Sequence, residues 1–499
     1  MSDSPPQSPH SISSNEDNNG INTFGEHSTS TLVLVHDEED NEANPLTYSD
    51  EDDDEGMAFD AGNNDDEQAL PSTVVFGYFL SPCLKLGAML TLSSQAPLKI
   101  SIPSLVLFAL LSAFSRQIWF LLARYVRKSD AGTMSIQAFA RGQRKESVRK
   151  VLRNVARSFS SAVRLLLAAV YLRGAADSLE IYLADDNYII PTPVLIVLAY
   201  LVFLTPLSLA QSFASRRLVY TNWLSIVLYI LWLVAIGFAH SKGVLDSNTV
   251  VIPRGRLFQD ITTVAFAFAS LSSLQMYNLF IGRKSNGEKK EKRYLSLSSI
   301  SLVGSLVGLG LLMPLLFPSI KQSKHDDPEN DTTYIRATIA TLTSLILLLA
   351  IPPLMTSISI PVPHQIRRLT TKPIGRYLAL IVVAALALLP SPAISVLEDV
   401  TLVLVLIATY FLPALLHIIL HHMRRPLSIL VRNNPQGSGG NVSSSHDPDT
   451  RELLLRKERA LQRRRSLRRI AWDLGVWFLL VPVGGGGIVW AVGRLAYIW

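Results

Sequence analysis

Ser81-Pro82-Cys83-Leu84-Lys85-Leu86-Gly87 lies near the middle of an apolar stretch, 74–93, of about the 20 residues that a helix needs to cross a bilayer. Proline lacks an N–H and its ring collides with the carbonyl four residues back, while Gly77 and Gly87 make it easier for the chain to leave the helix. A break is therefore expected here, and a lysine stands at it. Charge in hydrocarbon is costly and is usually paired or functional, so Lys85 reads either as a functional internal cation or as a residue at a helix boundary placed a few positions off. A second stretch has comparable character: Ala265-Phe266-Ala267-Phe268-Ala269-Ser270-Leu271-Ser272-Ser273. Its small residues permit close packing, and its serines can replace backbone hydrogen bonds at an interruption; a plain small-residue packing seam is the other reading.

Outward from these two stretches the chain reads as eleven apolar segments: 74–93, 102–125, 160–182, 190–210, 220–240, 260–282, 295–318, 334–356, 375–394, 399–421 and 470–496. The breakable segments are the first and the sixth. Secondary transporters often build a midplane site from two interrupted helices at corresponding positions of inverted halves, which makes segments one to five and six to ten the candidate halves, with the eleventh appended. Gly304 and Gly308 in the seventh segment read as a packing motif.

The basic residues give an independent count of spans. Loops 127–157, 211–219, 283–293, 363–376 and 423–469 together hold 33 Lys and Arg, against 6 in the alternate loops 94–100, 183–189, 241–259, 319–333 and 395–398. Basic loops stay cytosolic, so the alternation predicts eleven spans, a cytosolic N-terminus and a non-cytosolic C-terminus. Of two sequons, Asn330-Asp331-Thr332 falls in an expected outer loop and Asn441-Val442-Ser443 in an expected cytosolic one; only Asn330 should then accept a glycan.

Composition agrees with a lipid environment. The 499 residues are 48% hydrophobic and only 17% charged, below the roughly 25% charge of soluble domains, and the mean hydropathy is +0.28. An ordinary soluble enzyme is excluded. Residues 1–72 carry 19 of the 40 acidic residues and no Lys or Arg, and they cannot bury enough apolar surface to offset ordering. They are expected to form a disordered acidic cytosolic tail. The core of spans one to ten then covers 73–422, a basic cytosolic loop 423–469, and the eleventh helix with a short non-cytosolic end 470–499. The first 20 residues lack a basic region followed by an apolar one, so the first span is expected to direct insertion itself. Residues 451–469 read as a basic flank of the last helix that meets anionic lipid on the cytosolic leaflet.

The single cysteine, Cys83, excludes a disulfide framework and a thiolate zinc cluster. The hydrolase, zincin, phosphate-loop and dinucleotide motifs are missing, so no catalytic residue is assigned. His417 and His421 sit a helical turn apart beside His422, but a zinc site wants three or four ligands and an interfacial role fits better; no metal site is assigned. In the third segment Arg173 and Asp177 are one turn apart, with Glu180 a further turn along; a structural pair inside the bundle and a functional internal charge are the two readings of Asp177.

Several stretches resemble the amino acid/auxin permease family of eukaryotic amino acid transporters. They are Leu204-Thr205-Pro206-Leu207-Ser208, Thr263-Val264-Ala265-Phe266-Ala267-Phe268, Arg293-Tyr294-Leu295-Ser296, Ile351-Pro352-Pro353-Leu354 with Arg367, and Phe411-Leu412-Pro413-Ala414-Leu415-Leu416. They occur in family order over roughly 160–421. The resemblance implies an inverted-repeat fold of eleven spans whose broken first and sixth helices hold the substrate. It implies substrate contacts at Ser81 on the first span and at Phe268, Ser270, Ser272 and Ser273 on the sixth, and a coupling site for H⁺ or Na⁺ that draws on the first span and on Thr343 and Ser344 of the eighth. This sequence departs from the family in its first span, where Phe76 to Lys85 replaces a glycine-rich run. Either Lys85 stands in for a bound cation and the transporter needs no sodium, or the site is lost and the protein is a transporter-shaped sensor.

The expected fold class is thus all-α and polytopic, a 5+5 inverted repeat plus one helix. The expected function is secondary active amino acid transport, proton-linked, by alternating access in a vacuolar or other endomembrane. The alternative is a non-transporting sensor or scaffold. The expected partners are an amino acid substrate and the lipid bilayer, not nucleic acid, and no cofactor is expected beyond the coupling ion.

Overall fold

The computed structural model describes residues 70–92, 97–126, 130–139, 146–183, 191–210, 212–243, 257–281, 287–317, 329–358, 374–423 and 470–496. The acidic tail through residue 69, the sequon at Asn441 and the basic stretch 451–469 lie outside them. The described residues belong to one compact unit, which spans Asp60–Pro426 and Ser443–Trp499, and every regular element among them is a helix.

The chain begins with α1 (Ser72–Leu80), a 3-10 turn (Ser81–Leu84) and, past Lys85, α2 (Leu86–Leu92), the pair bent by 40°. Pro82 explains the break: it offers no N–H to the Tyr78 carbonyl, and the turn tightens where that bond is missing. Then follow α3 (Leu98–Val126), α4 (Ala131–Phe139), α5 (Glu146–Leu183), α6 (Thr192–Ser208) and α7 (Arg216–Ser241). A second interrupted pair comes next, α8 (Asp260–Ala267) and α9 (Ser273–Ile281), separated by the non-helical Phe268 to Ser272. After α10 (Gly287–Leu312), α11 (Glu329–Leu349) continues through Ala350 into α12 (Ile351–Thr356). The last elements are α13 (Ile374–Ala387), α14 (Pro392–His421) and α15 (Ile470–Arg494). A π-helical segment, Leu479–Gly485, interrupts α15 around Pro482, where a missing amide makes the ordinary helical ladder impossible.

Among the described residues, seven helices are long and apolar enough to cross a membrane, and eight if the bent pair α1–α2 is one span. The outer surface agrees with that: Val202 is 72% exposed, Ile381 64% and Leu474 70%. Exposed apolar surface on this scale needs a nonpolar neighbour. The molecule is therefore built as an all-α, multi-pass membrane protein. α6 and α13 are apolar but shorter. Asn330-Asp331-Thr332 falls in the first turn of α11.

The long α5 is the hub. It packs against α4, α6, α11, α12, α13 and α14. Two glycine contacts set the positions of the broken helices. A Cβ at Gly87 would lie only 2.3 Å from the Cα of Ala267, so α2 crosses the end of α8 backbone to backbone. Gly304 and Gly308 of α10 present the same kind of face to Phe79 and Cys83, with a Cβ at 3.3 and 3.2 Å from theirs. In a bilayer such close approach supplies the dispersion contacts that hold helices together.

Candidate functional site

Unwinding a helix inside an apolar bundle frees carbonyls that must find donors, because no water is at hand. At the first break the donor comes from α3. Arg116, 1% exposed, points Nη1 at the Phe79 carbonyl (3.5 Å) and Nη2 at the Ser301 carbonyl (3.2 Å) and the Ser305 hydroxyl of α10. Its guanidinium also lies 5.2 Å from the centre of the Phe79 ring, which favours a cation electrostatically.

At the second break three side chains from other helices do the same work. Tyr410 of α14 donates to the Ala265 carbonyl (3.0 Å), Ser112 of α3 to the Phe268 carbonyl (2.7 Å) and Arg164 of α5 to the Leu271 carbonyl (3.1 Å). This corrects one expectation: the serines of the sixth span are not what satisfies its backbone. The Ser270 and Ser273 hydroxyls are buried with no hydrogen-bond partner. Donors that bridge from packed neighbours fix both the break and the bundle around it, whereas a serine on the broken strand itself fixes only its own turn.

The two breaks face one another across a cavity of about 50 Å³, room for about four waters. The first helix contributes Tyr78, Ser81, Pro82 and Lys85, and the break after α8 contributes Ala269, Leu271 and Ser272. α5 closes another side with Arg164, Leu167 and Tyr171, which share one face at spacings of three and four residues. Asn222 of α7 and Ser357 after α12 complete the polar lining. Tyr78 donates to the Phe213 carbonyl (3.0 Å) and Arg164 to the Ser160 hydroxyl (2.6 Å), so both are held in place by bonds to the protein. Ser81 is 2% exposed and its hydroxyl has no partner. Lys85 is 6% exposed; its carbonyl accepts from the Met89 amide at 3.2 Å, but its ammonium forms no hydrogen bond or ion pair with any described residue.

Of the candidate residues, Ser81, Lys85 and Ser272 line this cavity. Phe268 and Ser270 in the second break and Ser273 at the start of α9 are buried and do not line the cavity. Thr343 accepts from Trp232 Nε1 (2.9 Å) and donates to the Ile339 carbonyl (2.8 Å), and Ser344 bonds the Tyr200 hydroxyl; neither lines the cavity. Asp177 sits in a 2.7 Å ion pair with Arg173 on the same helix, outside the lining as well. The rings of His417 and His421 are in contact, centres 4.3 Å apart and planes tilted by 60°, and among the described residues no group of three or more His, Cys, Asp or Glu could hold a metal.

Sequence reasoning missed Arg116, Arg164 as a lining residue, and the donors Ser112 and Tyr410. Arg116 was findable, since a guanidinium in the middle of an apolar span obeys the same rule as Lys85. Ser112 and Tyr410 carried no signal, because an ordinary serine or tyrosine in a span gains meaning only from the carbonyl it meets. No protein-family model matches the sequence, and no curated protein matches it significantly.

Proposed function

We propose that the protein is a secondary active amino acid transporter, proton-linked, that works by alternating access around the cavity between its two broken helices. One observation carries the reading: two apolar helices are interrupted at mid-length, face each other, and line a small cavity, largely apolar, that contains a lysine whose ammonium has no hydrogen-bond or ion-pair partner among the described residues. Helix interruptions inside an apolar bundle are costly and are tolerated where they line a cavity or a path. The full arrangement belongs to the same proposal: eleven spans in two inverted halves plus one, the acidic tail on the cytosolic side, and residence in a vacuolar or other endomembrane.

The lysine supports proton coupling in particular. Its charge occupies the place a coupling cation would take, and an ammonium can release its proton, whereas the guanidinium of Arg164 stays charged. Uptake of labelled amino acids by proteoliposomes, with and without an inward proton gradient, tests the reading. Gradient-driven, saturable flux is expected, and no flux from folded, inserted protein would refute it.

A sensor that binds without transporting is the second reading, and the modest size of the cavity favours it. Deletion of residues 1–72 separates the two: a transporter keeps its flux, whereas a sensor that signals through its tail loses its output.

A further inference from the structure

The charge of the cavity narrows what can occupy it. Two side chains of its lining are cations, Lys85 and Arg164, and no Asp or Glu is among its lining residues. Asp177 of α5 is engaged with Arg173 at 2.7 Å, and Asp130, just before α4, pairs with Arg157 at 3.6 Å. Arg164 hydrogen-bonds only neutral acceptors, namely Ser160 and the Leu271 carbonyl, while the Asp130 carboxylate offsets part of its charge from beyond hydrogen-bond range. The cation of the lining left without an anionic partner is Lys85. A third buried cation, Arg116, stands behind the first break, also satisfied only by carbonyls, a hydroxyl and a ring. Uncompensated positive charge in a water-poor interior is unfavourable, and an anionic ligand removes that penalty.

The neutral groups point the same way. The Ser81 hydroxyl is buried without a partner and lines the cavity, so it has a proton to donate. The Asn222 and Tyr171 side chains also line it and form no hydrogen bond with described residues. α9 starts at Ser273, directly after the lining residues Leu271 and Ser272, which turns the positive end of a nine-residue helix toward the cavity. Donors and positive charge thus surround a cavity that must widen to admit a molecule larger than its roughly 50 Å³, and a substrate ammonium would find no carboxylate in its lining.

We propose that the cavity binds a small carboxylate of net negative charge, with the carboxylate against Lys85 Nζ and the Ser81 hydroxyl, so that the amino acids taken are dicarboxylic. The proposal rests on the reading that this cavity is the substrate site, and it assigns the substrate class. A zwitterion is net neutral and leaves the charge of the lining as it was, a dicarboxylic amino acid lowers it by one, and a dibasic amino acid raises it by one.

The test is equilibrium binding of labelled aspartate to the purified full-length protein in detergent, in competition with glutamate, succinate, leucine and lysine, alongside flux of the same compounds in proteoliposomes. Aspartate, glutamate and succinate should compete at least tenfold better than leucine, and lysine should not compete. Lys85→Gln should weaken aspartate binding about 10- to 100-fold, the range of a lost charge-assisted hydrogen bond. Lys85→Arg should retain most of that binding, which separates a charge requirement from misfolding, and a melting curve for each variant guards the comparison. Equal or better binding of leucine, no binding of any acid, or full aspartate binding in a folded Lys85→Gln protein would each overturn the assignment. Flux and binding fail separately: leucine flux with no preference for acids refutes the substrate class and leaves transport standing, while acid binding without flux does the reverse.

Discussion

Gly87→Ala perturbs the contact that brings the two breaks together. The added Cβ would lie 2.3 Å from Ala267 Cα, 2.7 Å from its N and 2.8 Å from its Cβ. Two of these three atoms are backbone, so no side-chain rotation relieves the overlap. The crossing must open by roughly 1 Å to reach the ~3.5 Å of ordinary contact. Overpacking of this kind costs about 1–3 kcal/mol, and the upper end applies where backbone must move. Because Ala267 is the last residue of α8, the shift carries straight into the Phe268 to Ser272 break and the cavity lining. Gly237→Ala is the control: it lies inside α7 and a Cβ there meets nothing within 4 Å. That change should stabilise by about 0.5–1 kcal/mol through helix propensity alone. The assay is thermal unfolding of the purified protein in detergent, followed by aspartate binding. A lowered melting temperature and weakened binding for Gly87→Ala, against an unchanged or raised melting temperature for Gly237→Ala, is expected. Wild-type melting and binding in Gly87→Ala would refute the close crossing of α2 and α8.

Four further outcomes are expected. Arg116→Ala removes one donor each from the Phe79 and Ser301 carbonyls and the Ser305 hydroxyl and opens a cavity at a buried position; a loss of about 3–5 kcal/mol, read as poor folded yield by size exclusion, should follow. Ser112→Ala removes the donor to the Phe268 carbonyl and should cost about 1–3 kcal/mol in a melting experiment, while Ser270→Ala, whose hydroxyl bonds nothing, should cost little. Lys85→Ala should abolish coupled flux, and Lys85→Arg should bind substrate yet lose most flux, since a guanidinium holds an anion but does not exchange its proton; full flux in Lys85→Ala would sink the coupling role. A glycan on Asn330 and none on Asn441, scored by mobility after deglycosidase, would agree with the loop charges, and a glycan on Asn441 would refute the topology.

The membrane character of the chain and the places where two helices break were legible in the residues themselves. Pro82 between Gly77 and Gly87 announces an interruption because a missing amide is a local fact, independent of what packs nearby. Span lengths and loop charges are local in the same sense. The internal cation Lys85 was legible because a charge in an apolar run stands out against its neighbours. The coupling-ion assignments that the resemblance implied were less so: Thr343 and Ser344 read as candidate coupling hydroxyls, and their oxygens bond Trp232 and Tyr200. A hydroxyl's role depends on its partner across the bundle, and that partner is more than a hundred residues away in the chain.

Sequence alone therefore determined that this is an apolar, helical, membrane-embedded chain with two weak points and a lysine at one of them, since backbone chemistry and transfer free energy act residue by residue. Only the tertiary structure decided that the two weak points meet. It also decided that Arg116, Arg164, Ser112 and Tyr410 hold them open, and that the enclosed space has two cations and no acid in its lining. Those properties belong to pairs of distant residues, and pairs come together only when glycine contacts such as Gly87 on Ala267 let the helices approach.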